Sequence, residues 1–344
     1  MPEESIVHID FDELNRQAIS QPLITHIYTA DPSAHVFNGK IYIYPSHDIE
    51  NEIPFDDLGS HFAMEDYHVL SMNTPGDRRA TDHGVALHIQ DVRWAAKQMW
   101  APDAAEKKGV YYLFFPAKDH EGVFRIGVAT SQSPAGPFKA QPRAIQNSFS
   151  IDPAVFKDDD GTYYMYFGGI WGGQLQRWRA GNFKAEGEGP LVYLPGDSEP
   201  ALCPKVARLS DDLLEFAEQP RDVLITDNNG KPLLAGDNER RFFEASWMHK
   251  YNGKYYFSYS TGDTHFICYG IGNSPYGPFT YSGRILEPVV GWTSHHSIVE
   301  FDGKWYLFYH DSSLSHGVTH LRSIKVTELK YDENDFIQTI RPYS

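Results

Sequence analysis

Residues 243–259, FEASWMHKYNGKYYFSY, contain an apolar run, a short turn that ends in Gly253, and a strand rich in aromatic residues. The same pattern occurs at residues 34–44 (AHVFNGKIYIY), 101–115 (APDAAEKKGVYYLFF), 151–166 (IDPAVFKDDDGTYYMY) and 295–309 (HHSIVEFDGKWYLFY). The glycines of the five turns are Gly39, Gly109, Gly161, Gly253 and Gly303. A hairpin that recurs along the chain indicates an array of small, similar sheets.

The turns and the strand composition both favour β-hairpins. Asn-Gly or Asp-Gly dipeptides, which are strong hairpin signals, occur at residues 38–39, 160–161, 252–253 and 302–303. The strands that follow are rich in Tyr, Phe, Trp, Val and Ile, which suit a pleated, half-buried surface. Two similar loops, SPAGPF at 133–138 and SPYGPF at 274–279, fall at the same place in the second and fourth units. They support the repeat independently.

We predict an all-β fold, a five-bladed β-propeller that uses residues 1–344 as a single domain. The predicted blades are approximately residues 24–92, 93–147, 148–238, 239–290 and 291–344. The last blade is expected to hold four strands of its own, at residues 297–301, 304–309, 320–327 and 336–340, so that the chain ends share no blade. A β-sandwich or another repeated-hairpin fold is the alternative, but it does not account for the ionisable residues described next.

Four of the five units carry an ionisable residue at the same point of the pattern. Counting back eight or nine residues from the turn glycines gives Asp31, Asp152, Glu244 and His295, whereas the second unit has Trp100. Since equivalent points of the blades surround the central channel, we expect these side chains to lie together. Asp31 and Asp152 each precede a proline, which favours an extended backbone at both. A single such acid would ordinarily be a turn or capping carboxylate; three at one blade position indicate a site.

The surroundings of the acids suggest their chemistry. Glu244 lies among apolar neighbours in RFFEASW, residues 241–247. Such surroundings raise the pKa of a carboxyl group, which suits a general acid. Hydrolysis of a glycosidic bond needs an acid for the leaving oxygen and a second carboxylate on the opposite face of the sugar. Asp31, Asp152 and Glu244 would supply both, with a third carboxylate to tune and position them.

Composition narrows the possible partners. The formal charge of −16 argues against nucleic acid and anionic membranes, so we expect neither as a partner. Residues 1–5, MPEES, are acidic and begin no signal peptide. We therefore expect a cytoplasmic protein, or a secreted or periplasmic one whose signal peptide has been removed.

The chain resembles glycoside hydrolase family 43, five-bladed propellers that hydrolyse arabinose and xylose linkages with inversion. The resemblance is carried by TADP (29–32), QMWAPD (98–103), SIDP (150–153), FEAS (243–246), HHS (295–297) and the two SPxGPF loops. It implies that Asp31 is the general base that activates water and that Glu244 is the general acid. It also implies that Asp152 raises the pKa of the acid and helps to orient the substrate.

The same resemblance implies a metal at His295. Many family members hold a hydrated calcium or another small ion on the channel axis, at the position of this histidine. We therefore expect calcium as a cofactor there, although calcium prefers oxygen ligands and a single His with several waters is an unusual site. The alternative is a histidine that only hydrogen-bonds Asp152 or Glu244.

Four further residues are candidates for sugar binding. Trp100 and Trp171 could stack on the sugar, with packing in the core as the alternative for each. Phe62 lies in the insertion 51–65, which could form one wall of the pocket. Arg322 matches a position at which the family often carries a substrate-binding arginine, and a surface ion pair is its alternative.

The predicted function is an exo-acting, inverting glycoside hydrolase. It would release terminal β-D-xylose, α-L-arabinofuranose or both from oligosaccharides of xylan, arabinoxylan or arabinan. An endo-arabinanase would need an open groove, whereas the insertions 51–65 and 181–241 favour a walled pocket. A non-catalytic sugar-binding propeller would repeat one sugar site in every blade, whereas these blades carry different residues at the equivalent point.

Overall fold

The computed structural model describes residues 9–185 and 192–343, and it is a five-bladed β-propeller built almost entirely of antiparallel sheet. This confirms the predicted fold class. A short helix α1 (Phe11–Gln17) precedes the propeller, and its N-cap is Asp10. Single 3-10 turns lie at Ile89–Asp91, Trp171–Gly173, Leu175–Trp178 and Gly262–Thr264. Among the described residues, no helix is long and apolar enough to cross a membrane.

The strands follow one another blade by blade. Blade one contains β1 (Tyr28–Phe37), β2 (Lys40–Asp48), β3 (Asp66–Met72) and β4 (Thr81–His88), and blade two contains β5 (Ala95–Lys97), β6 (Asp103–Lys107), β7 (Val110–Asp119), β8 (Phe124–Ser131) and β9 (Lys139–Ala140). Blade three contains β10 (Ala154–Lys157), β11 (Tyr163–Phe167), β12 (Lys205–Arg208) and β13 (Arg221–Asp222). Blade four contains β14 (Ile225–Thr226), β15 (Glu244–Tyr251), β16 (Lys254–Ser260), β17 (Ile267–Gly272) and β18 (Phe279–Leu286), and blade five contains β19 (His296–Phe301), β20 (Lys304–Asp311) and β21 (Ser323–Leu329).

The turn glycines form the predicted hairpins, and four of the five are two-residue turns. The flanking pairs are Phe37 with Lys40, Lys107 with Val110, Tyr251 with Lys254 and Phe301 with Lys304. Both central residues of these turns have positive φ, as in Asn252 (46°) and Gly253 (75°), which is the backbone of a type I′ hairpin. The blade-three hairpin differs, because Lys157 pairs with Tyr163 and the loop between them is longer.

The start of two innermost strands is bulged. The β1–β2 register shifts between Ala30 and Ser33, and the β15–β16 register shifts between Glu244 and Trp247. The residues in these bulges include Asp31, with φ +50°, and Ala245, with φ +64°. Bulges of this kind re-aim side chains beside active sites.

The extended backbone expected before proline is therefore wrong for both aspartates. Asp31 has φ +50° and Asp152 has φ +58°, which is the left-handed region. Aspartate tolerates this region better than most residues, and residues held there cluster at functional sites. The bulge at Asp31 and the hydrogen bonds of its carboxylate outweigh the preference that the following proline imposes.

Blade five departs from the expected four strands of its own. Residues 336–340 form only isolated bridges, from Ile337 to Tyr331 and from Ile340 to Leu286 of blade four. The segment after β21 turns at Asp332 and crosses to blade four, where the Ile340 N–H donates to the carbonyl oxygen of Ile285 at 2.8 Å. Likewise, β14 lies within the segment assigned to blade three but pairs with β18 of blade four.

The N-terminal segment covers the outer edge of β21 instead. The Leu23 N–H donates to the Ile324 carbonyl at 2.9 Å, and the Ile19 N–H donates to the Pro342 carbonyl at 3.1 Å. These single hydrogen bonds add no strand to the sheet of β19, β20 and β21. An unpaired edge strand is a liability, and residues 18–24 remove it here. We call residues 18–24 the closing segment.

The closing segment is also held by apolar packing. Leu23 and Ile24, both 3% exposed, belong to one core cluster with residues of blade one and of blade five. From blade one come Ala34, Ile41, Ile43, Leu70 and Met72, and from blade five come Phe308 and Ile324. The seam between the first and last blades is thus sealed by a segment that belongs to neither.

We expect Leu23→Ala to destabilise the protein by about 2–5 kcal/mol, because it leaves a cavity where three parts of the chain meet. The free energy of unfolding in urea measures this. Ile19→Ala is the matched control, since Ile19 is 43% exposed in the same segment and should change stability by less than about 0.5 kcal/mol. Equal effects of the two substitutions would contradict the sealing role of the closing segment.

Candidate active site

A pocket lies where the blades meet, and every site residue that the sequence predicted lines it. Its lining includes Asp31, Phe62, Trp100, Asp152, Trp171, Glu244, His295 and Arg322. The insertion 51–65 contributes further lining residues, namely Phe55, Asp56, Asp57, Gly59, His61 and Met64. None of the described residues of the other insertion, 181–241, lines this pocket, so the walling role expected of that segment is not observed.

Asp31 is an ionised carboxylate held by several donors. Its Oδ2 accepts from the Ser46 hydroxyl at 2.6 Å, and its Oδ1 accepts from Arg322 Nη1 at 3.0 Å. Burial raises the pKa of this carboxyl, but Arg322, His295, His310 and the Ser46 hydrogen bond outweigh burial and lower the pKa to about 2. Asp31 therefore carries a negative charge at any ordinary pH, as an acceptor for a proton from water must.

His310 fixes the backbone of Asp31. The Asp31 N–H donates to Nδ1 of His310 at 3.0 Å, and Nε2 of His310 lies 3.1 Å from the Thr293 carbonyl oxygen. This arrangement requires a neutral imidazole with its proton on Nε2. Burial, aided by the charge of Arg322, lowers the pKa of His310 to about 3, which keeps the ring neutral.

Arg322 is 3% exposed, so its alternative as a surface ion pair is wrong. Its Nε and Nη2 donate to the two oxygens of Asp48 at 2.8 and 2.7 Å, a bidentate pair. Asp48 also accepts from the backbone N–H of Arg322 at 2.9 Å. Asp31 and Asp48 raise the pKa of Arg322 above its ordinary value despite burial. The cation is therefore permanent and is shared between two carboxylates.

Glu244 and Asp152 have the opposite charge preference. Burial, followed by the charge of Asp31, raises the pKa of Glu244 to about 8 against the opposing charge of Arg322. Burial likewise raises the pKa of Asp152 well above its ordinary range, followed by the charges of Glu244 and Asp31. The Ala245 N–H donates to Asp152 Oδ2 at 2.9 Å, which ties Asp152 to the bulge beside Glu244. At neutral pH the pocket thus combines an ionised carboxylate with a protonated carboxyl.

The repeat places these acids together but not at identical positions. Asp31 lies inside its bulge, whereas Glu244 precedes the corresponding bulge residue Ala245 by one position. Counting back eight residues from one turn and nine from another conceals this one-residue difference.

His295 is 8% exposed and lies between two of the acids. Its Nδ1 is 3.4 Å from Asp31 Oδ1 and 4.0 Å from Asp152 Oδ2. Burial lowers the pKa of His295, and a neutral imidazole is the form that binds metals. His295 thus fits a cation as a single nitrogen ligand. In the described part of the chain, the only group of three potential ligand residues lies elsewhere, at His47, Asp66 and His68 of blade one.

Two groups of aromatic side chains line the pocket. Trp100 donates from Nε1 to the Phe62 carbonyl at 2.8 Å and meets the Phe62 ring edge-on at 6.2 Å. Trp171 packs against Phe243 and Trp292, with ring centroids 5.3 and 5.6 Å away. Both tryptophans therefore belong to packed clusters and also face the pocket.

The insertion 51–65 forms a wall that reaches across to blade three. A Cβ added at Gly172 would lie 2.5 Å from the Leu58 carbonyl oxygen, and one added at Gly59 would lie 2.8 Å from Trp100. Only glycine permits these two close approaches. The wall consequently packs directly on the loop that carries Trp171.

Sequence reasoning missed Ser46, Asp48, Thr293, Trp292 and His310. None of them lies at the repeated point of the blades, so counting from the turn glycines could not find them. The one available signal was the presence of polar residues in apolar strands. Asp48 is the last residue of β2 and His310 is the last but one of β20, and both are buried.

Comparisons with known proteins agree with this geometry. The family-level sequence model "Glycosyl hydrolases family 43" matches residues 81–337. A xylosidase/arabinosidase of Humicola insolens is 62% identical over 93% of this chain and 99% of its own length. A xylosidase/arabinosidase of Bacteroides ovatus is 59% identical over 92% of this chain and 96% of its own.

Solved structures agree as well. A GH43 β-xylosidase/α-arabinofuranosidase from a compost microbial metagenome, described as a calcium-free complex with xylotriose, is 64% identical, with a TM-score of 0.92 over 94% of this chain and 98% of that one. A GH43_1 enzyme of Xanthomonas citri in complex with xylotriose is 55% identical, with a TM-score of 0.90 over 97% of both chains. The chain belongs to glycoside hydrolase family 43 and is a glycoside hydrolase.

Proposed function

We propose that this enzyme is an exo-acting, inverting β-xylosidase and α-L-arabinofuranosidase that acts on xylose- and arabinose-containing oligosaccharides of hemicellulose. The observation that carries the proposal is one pocket that holds two different carboxyl groups. Asp31 is paired with Arg322 at 3.0 Å and has a pKa lowered to about 2, whereas buried Glu244 has a pKa raised to about 8. Carboxyl groups whose environments separate their pKa values in this way divide into base and acid. The names of the relatives support the choice of sugars.

The proposed reaction is a single displacement. Asp31 takes a proton from a water molecule, whose oxygen forms a bond to the anomeric carbon from the side opposite the leaving group. As that bond forms, the bond to the leaving oxygen breaks, and Glu244 gives its proton to that oxygen. The product is a free sugar of inverted anomeric configuration. Asp31 then holds the proton and Glu244 the charge, and exchange with water restores both.

Asp152 is assigned a positioning and tuning role. Its negative form would repel the ionised form of Glu244, and each group raises the cost of ionising its neighbour. The hydrogen bond from the Ala245 N–H keeps Asp152 next to the backbone that carries the acid. Asp152 therefore favours the protonated form of Glu244 before the reaction, and it is available to bind a sugar hydroxyl.

The wall formed by residues 51–65 favours exo action. It packs on the loop at Gly172 and contributes lining residues along one side of the pocket. A pocket accepts the end of a chain, whereas an endo-arabinanase must admit the chain on both sides of the cleaved bond. Paired assays with aryl β-xylopyranoside and aryl α-arabinofuranoside test the proposed specificity, and turnover of neither would refute it.

A calcium ion at His295 is the proposed cofactor. The arguments for it are the neutral imidazole, the neighbouring carboxylates and the description of one related structure as calcium-free. His295 would supply its nitrogen ligand and water most of the rest. A bound calcium would add positive charge beneath the sugar.

Substitution of the acid tests its role. We expect Glu244→Gln to lower turnover of xylo-oligosaccharides by roughly 10²–10⁴-fold, because proton donation contributes about that much. Aryl glycosides with very good leaving groups should lose far less, since their departure needs little protonation. Steady-state rates on both substrate classes measure the difference.

The pH profile provides the control for Glu244→Gln. Wild-type kcat/KM should fall as pH rises through about 8, where Glu244 loses its proton. In the variant, that alkaline decline should disappear on activated substrates. Equal losses on both substrate classes, or an unchanged alkaline decline, would remove the general-acid assignment.

Substitution of the base should act differently. We expect Asp31→Asn to lower turnover by about 10²–10⁴-fold on every substrate, because water must be activated whatever the leaving group. Added azide, if it restores activity, should give a glycosyl azide of inverted configuration. An NMR time course of the wild-type reaction that shows the retained anomer first would overturn the single displacement.

Metal removal tests the cofactor. We expect a chelator to lower activity, calcium to restore it, and His295→Ala to abolish the response to both. The competing account is that His295 only contacts Asp31 and Asp152. On that account, wild-type activity would be indifferent to chelator and calcium, and calorimetry would detect no calcium binding that depends on His295.

A further inference from the structure

Two histidines and one aspartate of blade one form a cluster outside the catalytic pocket. His47 is the last residue but one of β2, and Asp66 and His68 lie at the start of β3. One ligand atom from each of the three residues lies within 4.8 Å of the other two. The rings of His47 and His68 are 4.6 Å apart, and none of the three residues lines the pocket. We call these three side chains the blade-one cluster.

The sheet itself brings the cluster together. Ile43 of β2 pairs with Leu70 of β3, and the same register continued along the strands places His47 opposite Asp66. Their contact agrees with this register, because Nδ1 of His47 is 2.6 Å from Oδ1 of Asp66. His68 follows Asp66 by two residues, so both side chains belong to the same face of the sheet. Groups held on neighbouring strands keep their positions more precisely than groups on loops.

A fourth residue, Asp82 of β4, orients His68. Its Oδ1 lies 2.8 Å from Nδ1 of His68 and also accepts from the Gly84 N–H at 2.8 Å. Its Oδ2 lies 3.0 Å from Nε2 of His26. Because an ionised carboxylate can only accept, a neutral His68 carries its proton on Nδ1 and keeps the lone pair of Nε2. A carboxylate behind a histidine in this way is the usual support for a metal-binding imidazole.

The charges around the cluster favour a cation. Asp66 is paired with His47 alone, and Asp82 with His26 and His68. In the described part of the chain, no lysine or arginine forms an ion pair with either carboxylate. The side chains of His47 and Asp66 are each 16% exposed and that of His68 is 12% exposed, so solvent reaches the cluster. Two partly buried carboxylates without a fixed cation make this part of blade one attractive to a metal ion.

We propose that His47, Asp66 and His68 bind a divalent cation of the zinc class, at a site separate from the proposed calcium at His295. Two imidazoles and one carboxylate suit Zn²⁺, whereas calcium prefers a shell of oxygens. Zinc–ligand distances of about 2.0–2.2 Å require the three atoms to approach one another by about 1 Å, which rotation of partly exposed side chains permits. The cation would clamp β2 to β3, on the face of β2 opposite to Asp48.

Calorimetric titration of zinc into chelator-treated protein tests the site. The protein carries His295→Ala, so that the channel supplies no histidine ligand. One equivalent of zinc should bind, and His68→Ala and His47→Gln should each weaken this binding at least tenfold. Asp82→Asn should weaken it about 10–100-fold, the usual cost of losing a carboxylate behind a metal ligand. His83→Ala is the matched control, because His83 lies on β4 beside Asp82 but outside the cluster, and it should leave the zinc affinity unchanged.

Two further measurements identify the ligands and the class of cation. Zinc should raise the thermal unfolding midpoint of the His295→Ala protein but not that after adding His68→Ala, since a ligand that binds only the folded state stabilises it. An excess of calcium should not displace the zinc. Absence of zinc binding, equal weakening by His83→Ala, or binding that survives both His68→Ala and His47→Gln would overturn the site. Displacement by calcium would overturn the zinc class. Unfolding midpoints without metal check that each variant is folded, and the two ligand variants lie on different strands.

Discussion

The bidentate pair between Arg322 and Asp48, and its extension to Asp31, determines the chemistry of the pocket. Burial disfavours every charge in this region, so a carboxyl group ionises only where a fixed cation compensates it. Arg322 compensates Asp31 directly at 3.0 Å, and Asp48 holds the guanidinium in place. Glu244 and Asp152 make no such pair with Arg322. Burial therefore raises the pKa of both groups, whereas the ion pair lowers that of Asp31. One cation, placed asymmetrically, distinguishes base from acid.

Much of this arrangement was predictable because it repeats. The turn glycines marked the hairpins, and the position eight or nine residues before them marked Asp31, Asp152, Glu244 and His295. What repetition could not predict were the residues that occur once. Asp48, Ser46 and His310 come from the second strands of blades one and five. Ser46 contacts Asp31 within blade one, whereas His310 and, through Arg322, Asp48 act on it at the contact between the two blades. A pattern in sequence records local periodicity, whereas these contacts depend on how the blades close.

The fourth strand of the last blade was mispredicted for a related reason. Residues 336–340 have a composition typical of a β-strand, but composition does not determine which strand a segment pairs with. That segment crosses to blade four, and the closing segment at residues 18–24 occupies the free edge of β21. The backbone of Asp31 and Asp152 was also mispredicted, because the preference imposed by proline is weaker than the bulge and the hydrogen bonds of the folded site.

The ion pairs of Asp31 and Asp48 with Arg322 have a consequence for biosynthesis. They join residues that are 291 and 274 positions apart in the sequence. Arg322 is therefore synthesised only after nearly all of the chain. Until then, Asp31 and Asp48 have no cation to pair with, and burying them as charged groups would be costly. The first blade therefore cannot mature alone, and folding of its inner end must wait for the last blade. The active site and the ring of blades are therefore completed in the same late folding step. The long-range strand pairings of this fold already make folding slow.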